Sequence, residues 1–325
     1  MIDEAAIVAA ALTGWGREIV GLAPLFLGHD PRARTYRATT RDGRDLFLKW
    51  RSRLDAGMAV SQALYAAGAT AVLAPISTKE GRTAQATDEG WLLAYPFVEG
   101  HNGFYERLTL DRWRAFGGAM REIHAAVVPA EVLAQVEVET FDPPEFEILK
   151  RFVEDPPEPL RAPIERHRAA LERILRGTRK FGQACREKRW TMGLCHADIH
   201  VGNVHLTPDG GLRIVDWDEP RIAPRERDLM FICGGGIMSG HGAAEEAAFF
   251  EGYGPASPDP LGLTYYRFAW ATMDLSEYLR ATFHPATDDA SCGREASESF
   301  ERLFQPGEVV DLAFRSEDAF KTRSV

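Results

Sequence analysis

The sequence predicts an α+β fold in which a β-rich first hundred residues precede a mostly helical remainder. Short β-type segments separated by turn residues follow one another as far as Val98. Beyond that point apolar residues such as Trp113 and Phe116 recur at helical spacing. We therefore expect a first, β-rich domain over 1–98 and a helical second domain over 99–325.

The composition is that of an acidic globular protein. The 325 residues carry a net charge of −10, with 45% hydrophobic and 26% charged residues. This charge argues against a nucleic-acid binder and is compatible with a cationic substrate. No apolar run reaches the roughly 18 residues of a membrane span, the cysteines form no metal or disulfide pattern, and the N-terminus is acidic where a signal peptide is basic. We expect a cytoplasmic protein without nucleic-acid or membrane partners.

Helix and strand signals alternate through the β-rich region. They predict helices over 3–14 and 54–67 and strands over 19–27, 35–40, 45–51, 72–76, 83–86 and 91–98. Gly14 is the expected stop of the first helix. Because proline cannot donate to a sheet ladder, we expect Pro24 to interrupt the first strand or divide it into two short ones. We expect the strand that contains Pro96 to end there or to lie at a sheet edge.

Lys49 lies in the middle of an apolar strand. Alternation directs Leu48 and Trp50 to one face and Phe47 and Lys49 to the other. A charge at such a position must find a partner or reach solvent. Two interpretations follow: a contact with nucleotide phosphates, or a solvent-facing edge. The polar hairpin described next favours the phosphate contact.

A polar hairpin interrupts the helical part. Its predicted strands, 203–206 and 212–216, flank a turn at 207–211 that contains Pro208 and two glycines. The fold-back brings the first residue of one strand close to the last residue of the other. The polar groups that it gathers lie at one end of the hairpin.

These groups match a kinase catalytic loop. His196, Asp198 and Asn203 have the H-x-D-x-x-x-x-N spacing, and Asp216 stands where a second metal-binding aspartate is expected. Asp198 would orient and deprotonate an attacking hydroxyl, while Asn203 and Asp216 would hold Mg²⁺, which prefers oxygen ligands. Asp218 would join the metal shell or cap the next turn.

Helices make up most of the remaining sequence. The predicted helices begin at Thr109 and Leu229 or span 144–153, 165–188, 243–253, 263–283, 295–304 and 308–314. No glycine-rich phosphate loop occurs in the sequence. The turn 28–34, which ends at Arg34, would therefore cover the phosphates with its backbone N–H groups.

Two other classes of protein remain open at this point. His196, Asp198, His200 and His205 could be the ligands of a metal-dependent hydrolase. The hairpin prevents a helical arrangement of the histidines, which argues against this class. A kinase fold that binds ligand without catalysis would be expected to lack one of the three polar groups, and all are present.

The sequence resembles the aminoglycoside phosphotransferase and choline kinase-like family. The segments that carry the resemblance are 47–50 (FLKW), 94–100 (AYPFVEG), 195–203 (CHADIHVGN) and 214–220 (IVDWDEP). The segments 225–230 (RERDLM) and 249–253 (FFEGY) are similar to the spectinomycin phosphotransferase branch. The resemblance covers 19–314, and the hairpin is its most specific part.

The resemblance implies a two-lobed protein-kinase-like fold, with a β-rich N-terminal lobe, a mainly helical C-terminal lobe and ATP in the cleft. It makes Asp198 the catalytic aspartate, Lys49 the phosphate contact and Asn203 and Asp216 the Mg²⁺ ligands. The remaining nucleotide contacts that we expect are Arg34, Tyr95, Phe97 and Val98. The expected acceptor contacts are Asp218, Asp274 and Glu277.

The implied activity is ATP-dependent phosphorylation of a small cationic molecule, such as an aminoglycoside or the aminocyclitol spectinomycin. Choline, homoserine, sugar and macrolide kinases in the family leave a metabolite kinase as the alternative. The sequence departs from the kinase pattern in one respect. No glutamate occurs between Lys49 and Lys79 to pair with the strand lysine. We expect either that Asp55 or Gln62 substitutes for it, or that phosphate alone holds Lys49.

Overall fold

The computed structural model describes residues 3–25, 33–238, 240–283 and 290–323. The strands are β1 (Ile19–Leu25), β2 (Ala33–Thr40), β3 (Asp45–Arg51), β4 (Gln85–Thr87), β5 (Gly90–Pro96), β6 (His101–Asn102), β7 (Glu137–Val138), β8 (Gly193–Cys195), β9 (Val204–Leu206), β10 (Leu212–Ile214) and β11 (Arg221–Ala223). The helices are α1 (Glu4–Trp15), α2 (Ala56–Ala66), α3 (Leu110–Ala125), α4 (Ala130–Leu133), α5 (Glu145–Glu154), α6 (Glu158–Glu187), α7 (Glu226–Leu229), α8 (Ala243–Tyr253), α9 (Pro260–Phe283), α10 (Ala290–Arg302) and α11 (Val309–Arg323). The β-rich beginning and helical remainder confirm the predicted α+β class.

The chain divides into two compact units. The first comprises Met1–Glu137, His196–Arg221 and Ala247–Gly254, and the second comprises Val138–Cys195, Ile222–Glu246 and Pro255–Val325. The polar hairpin thus belongs to the same unit as the N-terminal strands. The domain boundary between residues 98 and 99 stays a prediction.

An antiparallel sheet in the order β1-β2-β3-β5-β4 forms the centre of the first unit. Leu48 and Trp50 of β3 face a core that includes Ile7 of α1. On the other face, Leu93 and Tyr95 of β5 pack with Met58 of α2. The alternation of β3 therefore directs Leu48 and Trp50 toward α1 and the face that carries Phe47 and Lys49 toward α2.

The ends of α1 and β1 show how local chemistry sets the boundaries. Asp3 caps α1 by accepting the Ala5 N–H at 3.2 Å. Gly14 as the stop is wrong, because Gly16, at φ 65°, takes the left-handed conformation and ends the helix. Pro24 lies within β1 without interrupting it, since β1 is an edge strand.

Other predicted elements differ from the structure or fall outside it. The strand predicted over 72–76 is wrong, because only Val72 forms an isolated bridge, to Ile214 of β10. Residues 28–32 of the expected phosphate-covering turn lie outside the described residues. Helix α6 begins earlier than predicted and continues through Pro163.

The predicted hairpin forms with shorter strands. Strands β9 and β10 pair antiparallel, with Val204 opposite Ile214. Gly210, at φ 87°, closes the turn by donating its N–H to the Thr207 carbonyl oxygen at 3.1 Å. Strand β6 pairs with β9 on the other side. Residues 201–203 form a short 3-10 helix that leads into β9.

Helix α9 is the centre of the second unit. It packs against α5, α6, α10 and α11. Tyr265, Tyr266 and Phe268 are among its fully buried side chains, and Thr178 of α6 bonds to the Phe268 carbonyl oxygen at 3.2 Å. In the described part of the chain, no helix has both the length and the apolar character needed to cross a membrane.

Helix α3 packs closely against residues 249–253 through glycine. A Cβ added at Gly117 would lie 1.9 Å from the Phe249 carbonyl oxygen. At the neighbouring Gly118, no heavy atom of the described residues lies within 4 Å of the added Cβ. The two positions share a helix and differ in the space around them.

We predict that these two glycines respond oppositely to alanine. Gly117→Ala should lower the free energy of unfolding by about 1–3 kcal/mol because backbone atoms must move apart. Gly118→Ala should raise it by about 0.5–1 kcal/mol, since alanine reduces the freedom of the unfolded chain. Urea unfolding of the wild type and both variants measures the difference. Equal effects would contradict the close packing at Gly117.

Candidate active site

Lys49 connects β3 to the segment that follows β10. Its Nζ atom lies 3.0 Å and 3.2 Å from the carboxylate oxygens of Asp218 and 3.4 Å from Oδ1 of Asp216. The Lys49 side chain is 16% exposed. The carboxylates thus compensate the charge of this largely buried ammonium group. The solvent-facing interpretation of Lys49 is therefore wrong.

The two carboxylates beside Lys49 ionise differently. Partial desolvation by the surrounding protein disfavours the charged form of Asp216, but the charge of Lys49 and the hydrogen bonds from neighbouring side chains together lower the pKa of Asp216. Burial raises the pKa of Asp218, and the nearby Asp216 carboxylate adds to that rise against the effect of Lys49. Asp216 is therefore the carboxylate of the pair that is better suited to bind a metal ion in its charged form.

His196 holds the Asp198 loop to the end of β10. It is fully buried, and its Nδ1 atom accepts the Asp198 N–H at 3.3 Å. Its Nε2 atom therefore carries the proton and donates to the Val215 carbonyl oxygen at 2.9 Å. The imidazole thus joins the backbone of Asp198 to Val215, the residue that immediately precedes Asp216.

Asp198 is oriented by Asn203. The Asn203 Nδ2 atom donates to Oδ2 of Asp198 at 3.1 Å and to the Asp198 carbonyl oxygen at 2.7 Å. The Val215 N–H donates to the Asn203 carbonyl oxygen at 3.1 Å, which ties this pair to the segment containing Asp216. The structure therefore brings Asp198, Asn203 and Asp216 together as the sequence predicts.

The donor set fits a hard divalent cation. Because the Asn203 amide nitrogen is directed at Asp198, its Oδ1 atom points away from that residue. Asp216, whose side chain is 47% exposed, supplies a carboxylate on the adjoining segment. An amide oxygen and a carboxylate with access to water are the ligands that Mg²⁺ prefers.

His200 lies on the other side of Asp198. Its Nδ1 atom accepts the Gly202 N–H at 3.0 Å, so Nε2 carries the proton and lies 3.6 Å from Oδ1 of Asp198. The Phe104 ring stacks on the imidazole with centroids 5.2 Å apart. Burial lowers the pKa of His200 to about 4, so the ring is neutral at physiological pH.

A second cation joins the cluster. Arg51 lies two residues beyond Lys49 on the same face of β3, and its Nη1 atom donates to Oδ1 of Asp218 at 2.9 Å and to the Asp55 carboxylate. Burial raises the pKa of Asp55 to about 6 against the lowering effect of Arg51. Arg51 is not among the site residues that the sequence predicts, although strand alternation places its side chain on the same face as Lys49.

Gln62 is not the partner of Lys49. Its Nε2 atom donates to the Pro75 carbonyl oxygen at 3.0 Å, and its Oε1 atom accepts the Thr83 hydroxyl at 2.8 Å. Asp55 is bound to Arg51 rather than to Lys49. The expected substitution of Asp55 or Gln62 for the helix glutamate as a direct lysine partner is therefore wrong.

The segment expected to bind adenine leaves the sheet after Pro96. The Tyr95 side chain is buried, and its hydroxyl contacts the Met58 sulfur at 3.2 Å. The Phe97 N–H donates to the Asp45 carbonyl oxygen at 3.3 Å, and the Val98 carbonyl oxygen bonds with His205 Nε2 at 3.1 Å. Their role in adenine binding stays a prediction.

The remaining predicted site residues are Arg34, Asp274 and Glu277. Arg34 pairs with Trp50 across β2 and β3, so it lies on the sheet face opposite Lys49. Asp274 and Glu277 lie on α9 in the second unit. Their proposed contacts with nucleotide or acceptor stay predictions.

The histidines do not converge as a hydrolase metal site. His196 uses both ring nitrogens to bind backbone groups, and His205 bonds to Val98. Within the described residues, His196, Asp198, His200 and His205 form no cluster of metal ligands. The geometry therefore argues against the hydrolase alternative.

The chain belongs to the phosphotransferase enzyme family, whose model matches residues 26–274. It is a small-molecule kinase, a phosphotransferase with an alcohol group as acceptor, and has the kinase-like fold that the sequence predicts. The family, fold and enzyme class expected from the sequence are thus confirmed.

Solved structures of one relative are similar over almost the whole chain. The spectinomycin phosphotransferase APH(9)-Ia in complex with ADP and spectinomycin shares 28% identity, with a TM-score of 0.86 over 97% of this chain and 99% of that chain. Its AMP complex shares 27% identity, with a TM-score of 0.81 and the same coverage. Protein StrN of Streptomyces griseus is 27% identical over 251 residues, 71% of each chain.

The low pKa of His200 predicts a specific loss of stability in acid. The unfolded chain binds a proton at this side chain below about pH 6.5, and the native state does so only near pH 4. Stability therefore falls as the pH drops from about 6.5 to 4, by about 2 kcal/mol at pH 4.5. His200→Asn removes this titration and keeps an acceptor for Gly202.

Urea unfolding at pH 7.5 and 4.5 tests this prediction. The wild type should lose more stability between the two pH values than His200→Asn, by about 2 kcal/mol. Equal losses in the two proteins would show that His200 is not held neutral in the native state.

Proposed function

We propose that this enzyme transfers the γ-phosphoryl group of ATP to a hydroxyl of a small cationic antibiotic of the aminocyclitol or aminoglycoside type, such as spectinomycin. The observation that carries the proposal is the arrangement of the hairpin, in which Asn203 orients Asp198 and Lys49 contacts Asp216. This arrangement provides a base, oxygen ligands and a positive charge within one unit. Phosphoryl transfer requires these three elements.

Asp198 acts on the acceptor. The hydroxyl oxygen forms a bond to the γ-phosphorus as the bond to the bridging oxygen of ADP breaks, and the hydroxyl proton passes to the Asp198 carboxylate. Asn203 binds one oxygen of the Asp198 carboxylate, and this hydrogen bond also fixes the direction of the other oxygen. Alignment contributes more than basicity, because the proton leaves late in a loose transition state.

Lys49, Asn203 and Asp216 act on the nucleotide. Lys49 contacts the phosphates and offsets their negative charge. Asn203 and Asp216 would hold Mg²⁺, which neutralises charge that develops on the phosphate oxygens. The segment with Tyr95, Phe97 and Val98 would pair with the adenine edge, and Arg34 would lie near the phosphate-covering turn. In this scheme residues 1–98 form the nucleotide domain.

Several observations support a cationic acceptor and ATP as the donor. The relative of 28% identity is a spectinomycin phosphotransferase whose structure contains ADP and spectinomycin. The chain carries a net charge of −10, which favours encounter with a cation. Asp218, Asp274 and Glu277 are the carboxylates that we assign to the ammonium groups of the acceptor.

A panel of acceptors tests the proposal. Release of ADP from Mg·ATP is measured with spectinomycin, aminoglycosides, hygromycin, choline and amino alcohols. We expect turnover with an aminocyclitol or aminoglycoside, and Asp198→Asn should lower kcat about a thousandfold with unchanged ADP affinity, because it removes the base alone. Asp88→Asn, in the exposed turn between β4 and β5, is the matched control with unchanged kcat.

Two outcomes would contradict the proposal. Turnover restricted to choline or an amino alcohol would make the enzyme a metabolite kinase. Near-normal kcat in Asp198→Asn would remove Asp198 from catalysis.

The metal assignment makes a separate prediction. Asp216→Asn should raise the Mg²⁺ concentration for half-maximal activity at least about tenfold, since an anionic ligand is lost. Asp209→Asn changes a carboxylate in the turn at the other end of the hairpin and should leave that concentration unchanged. Mg²⁺ titrations of initial rate compare the two variants with the wild type. A similar shift in both would assign the effect to the hairpin rather than to metal binding.

A further inference from the structure

The start of α2 is fixed by a set of contacts that does not involve Lys49. Arg51 binds Asp55, the residue that caps α2. Asp55 also accepts the Gly57 N–H at 3.0 Å. A Cβ at Gly57 would lie 1.3 Å from the Trp217 carbonyl oxygen, so the first turn of α2 lies directly against the segment between Asp216 and Asp218.

We infer that Arg51 and Asp55 replace the missing helix glutamate as positioning residues for nucleotide binding. The inference rests on the proposed function, because it assigns Lys49 to the phosphates. In the usual kinase arrangement, a glutamate inside the helix holds the strand lysine. Here the helix is instead positioned at its N-terminus, through Arg51.

The interior of α2 is anchored elsewhere. Gln62 donates to the Pro75 carbonyl oxygen at 3.0 Å and to the Ser77 hydroxyl at 3.2 Å, and it accepts from Thr83. These bonds tie the middle of the helix to the segment that precedes β4. The connection between α2 and the Lys49 cluster therefore lies at the first turn, through Asp55 and the close approach of Gly57 to Trp217.

Arg51 also determines how readily Lys49 can leave Asp218. Both cations bind the Asp218 carboxylate, Lys49 at 3.0 Å and Arg51 at 2.9 Å. The Asp218 side chain is 24% exposed, so its charge requires a partner when Lys49 turns to the phosphates. Arg51 remains as that partner. Without Arg51, Lys49 would be the cation left to compensate Asp218 within this cluster.

Nucleotide affinity tests the inference without an acceptor. Calorimetry measures the Kd of Mg·ADP for the wild type, Arg51→Met, Asp55→Ser, their double variant and Arg51→Lys. Serine keeps the helix cap but is too short to reach Arg51. We expect Arg51→Met to raise Kd about tenfold and Asp55→Ser about threefold, the scale of the net contribution of a single hydrogen bond. Arg51→Lys should recover most of the affinity.

Coupling and a control variant separate positioning from general stability. The double variant should bind Mg·ADP no more weakly than Arg51→Met, because the two residues act as a unit. Arg41→Gln breaks an exposed ion pair with Glu18 at the opposite end of β3 and should leave Kd unchanged. Hydrogen exchange should show faster opening of residues 56–66 in Arg51→Met.

Specific results would overturn the inference. An unchanged Kd in Arg51→Met with a lower melting temperature would leave Arg51 a purely structural residue. Additive effects of Arg51→Met and Asp55→Ser would show that they do not act together. Failure of the proposed function is distinguishable, since it would appear in the wild type as absence of acceptor turnover, whereas the inference fails only through the variants.

Discussion

The ion cluster between β3 and the end of the hairpin is the interaction on which the site depends. Lys49 contacts carboxylates that are 167 and 169 residues away along the chain. With Arg51, it faces Asp55, Asp216 and Asp218, so carboxylates outnumber cations among these side chains. Such an excess of negative charge in a partly buried place favours a further cation, which agrees with the oxygen donors assigned to Mg²⁺.

Elements with strong local signals were predictable. The bounds of β3 follow from a turn at Gly43 and from alternation along the strand, and the register confirms that Lys49 shares its face with Thr35 and Leu93. The hairpin follows from Pro208 and the glycine that closes its turn. The spacing of Asp198 and its neighbours then indicated their chemistry, although it did not indicate which hydrogen bonds orient them.

Features that depend on tertiary contacts could not be predicted in the same way. The segment from Val72 is apolar like a strand, but its backbone bonds are divided between Ile214 of β10 and, from Ile76, Ala94 of β5, so no continuous strand ladder forms. The sequence places Arg34 near the phosphate-covering turn, whereas pairing with Trp50 fixes its face opposite Lys49. Asp218, which binds Arg51, lies 167 residues further along the chain, so no local sequence pattern predicts their contact.

The backbone around the hairpin explains why its polar groups hold their directions. Ala197 and Asp216 have φ values of 71° and 63°, a conformation that costs a non-glycine residue about 1–2 kcal/mol. His196 stabilises this conformation at both places, because it bonds to Asp198 on one side and to Val215 on the other. The strained residues stand directly before the proposed base and at the proposed metal ligand. Strain held by a buried imidazole therefore fixes both groups before substrate binds, so that little reorganisation remains for the reaction itself.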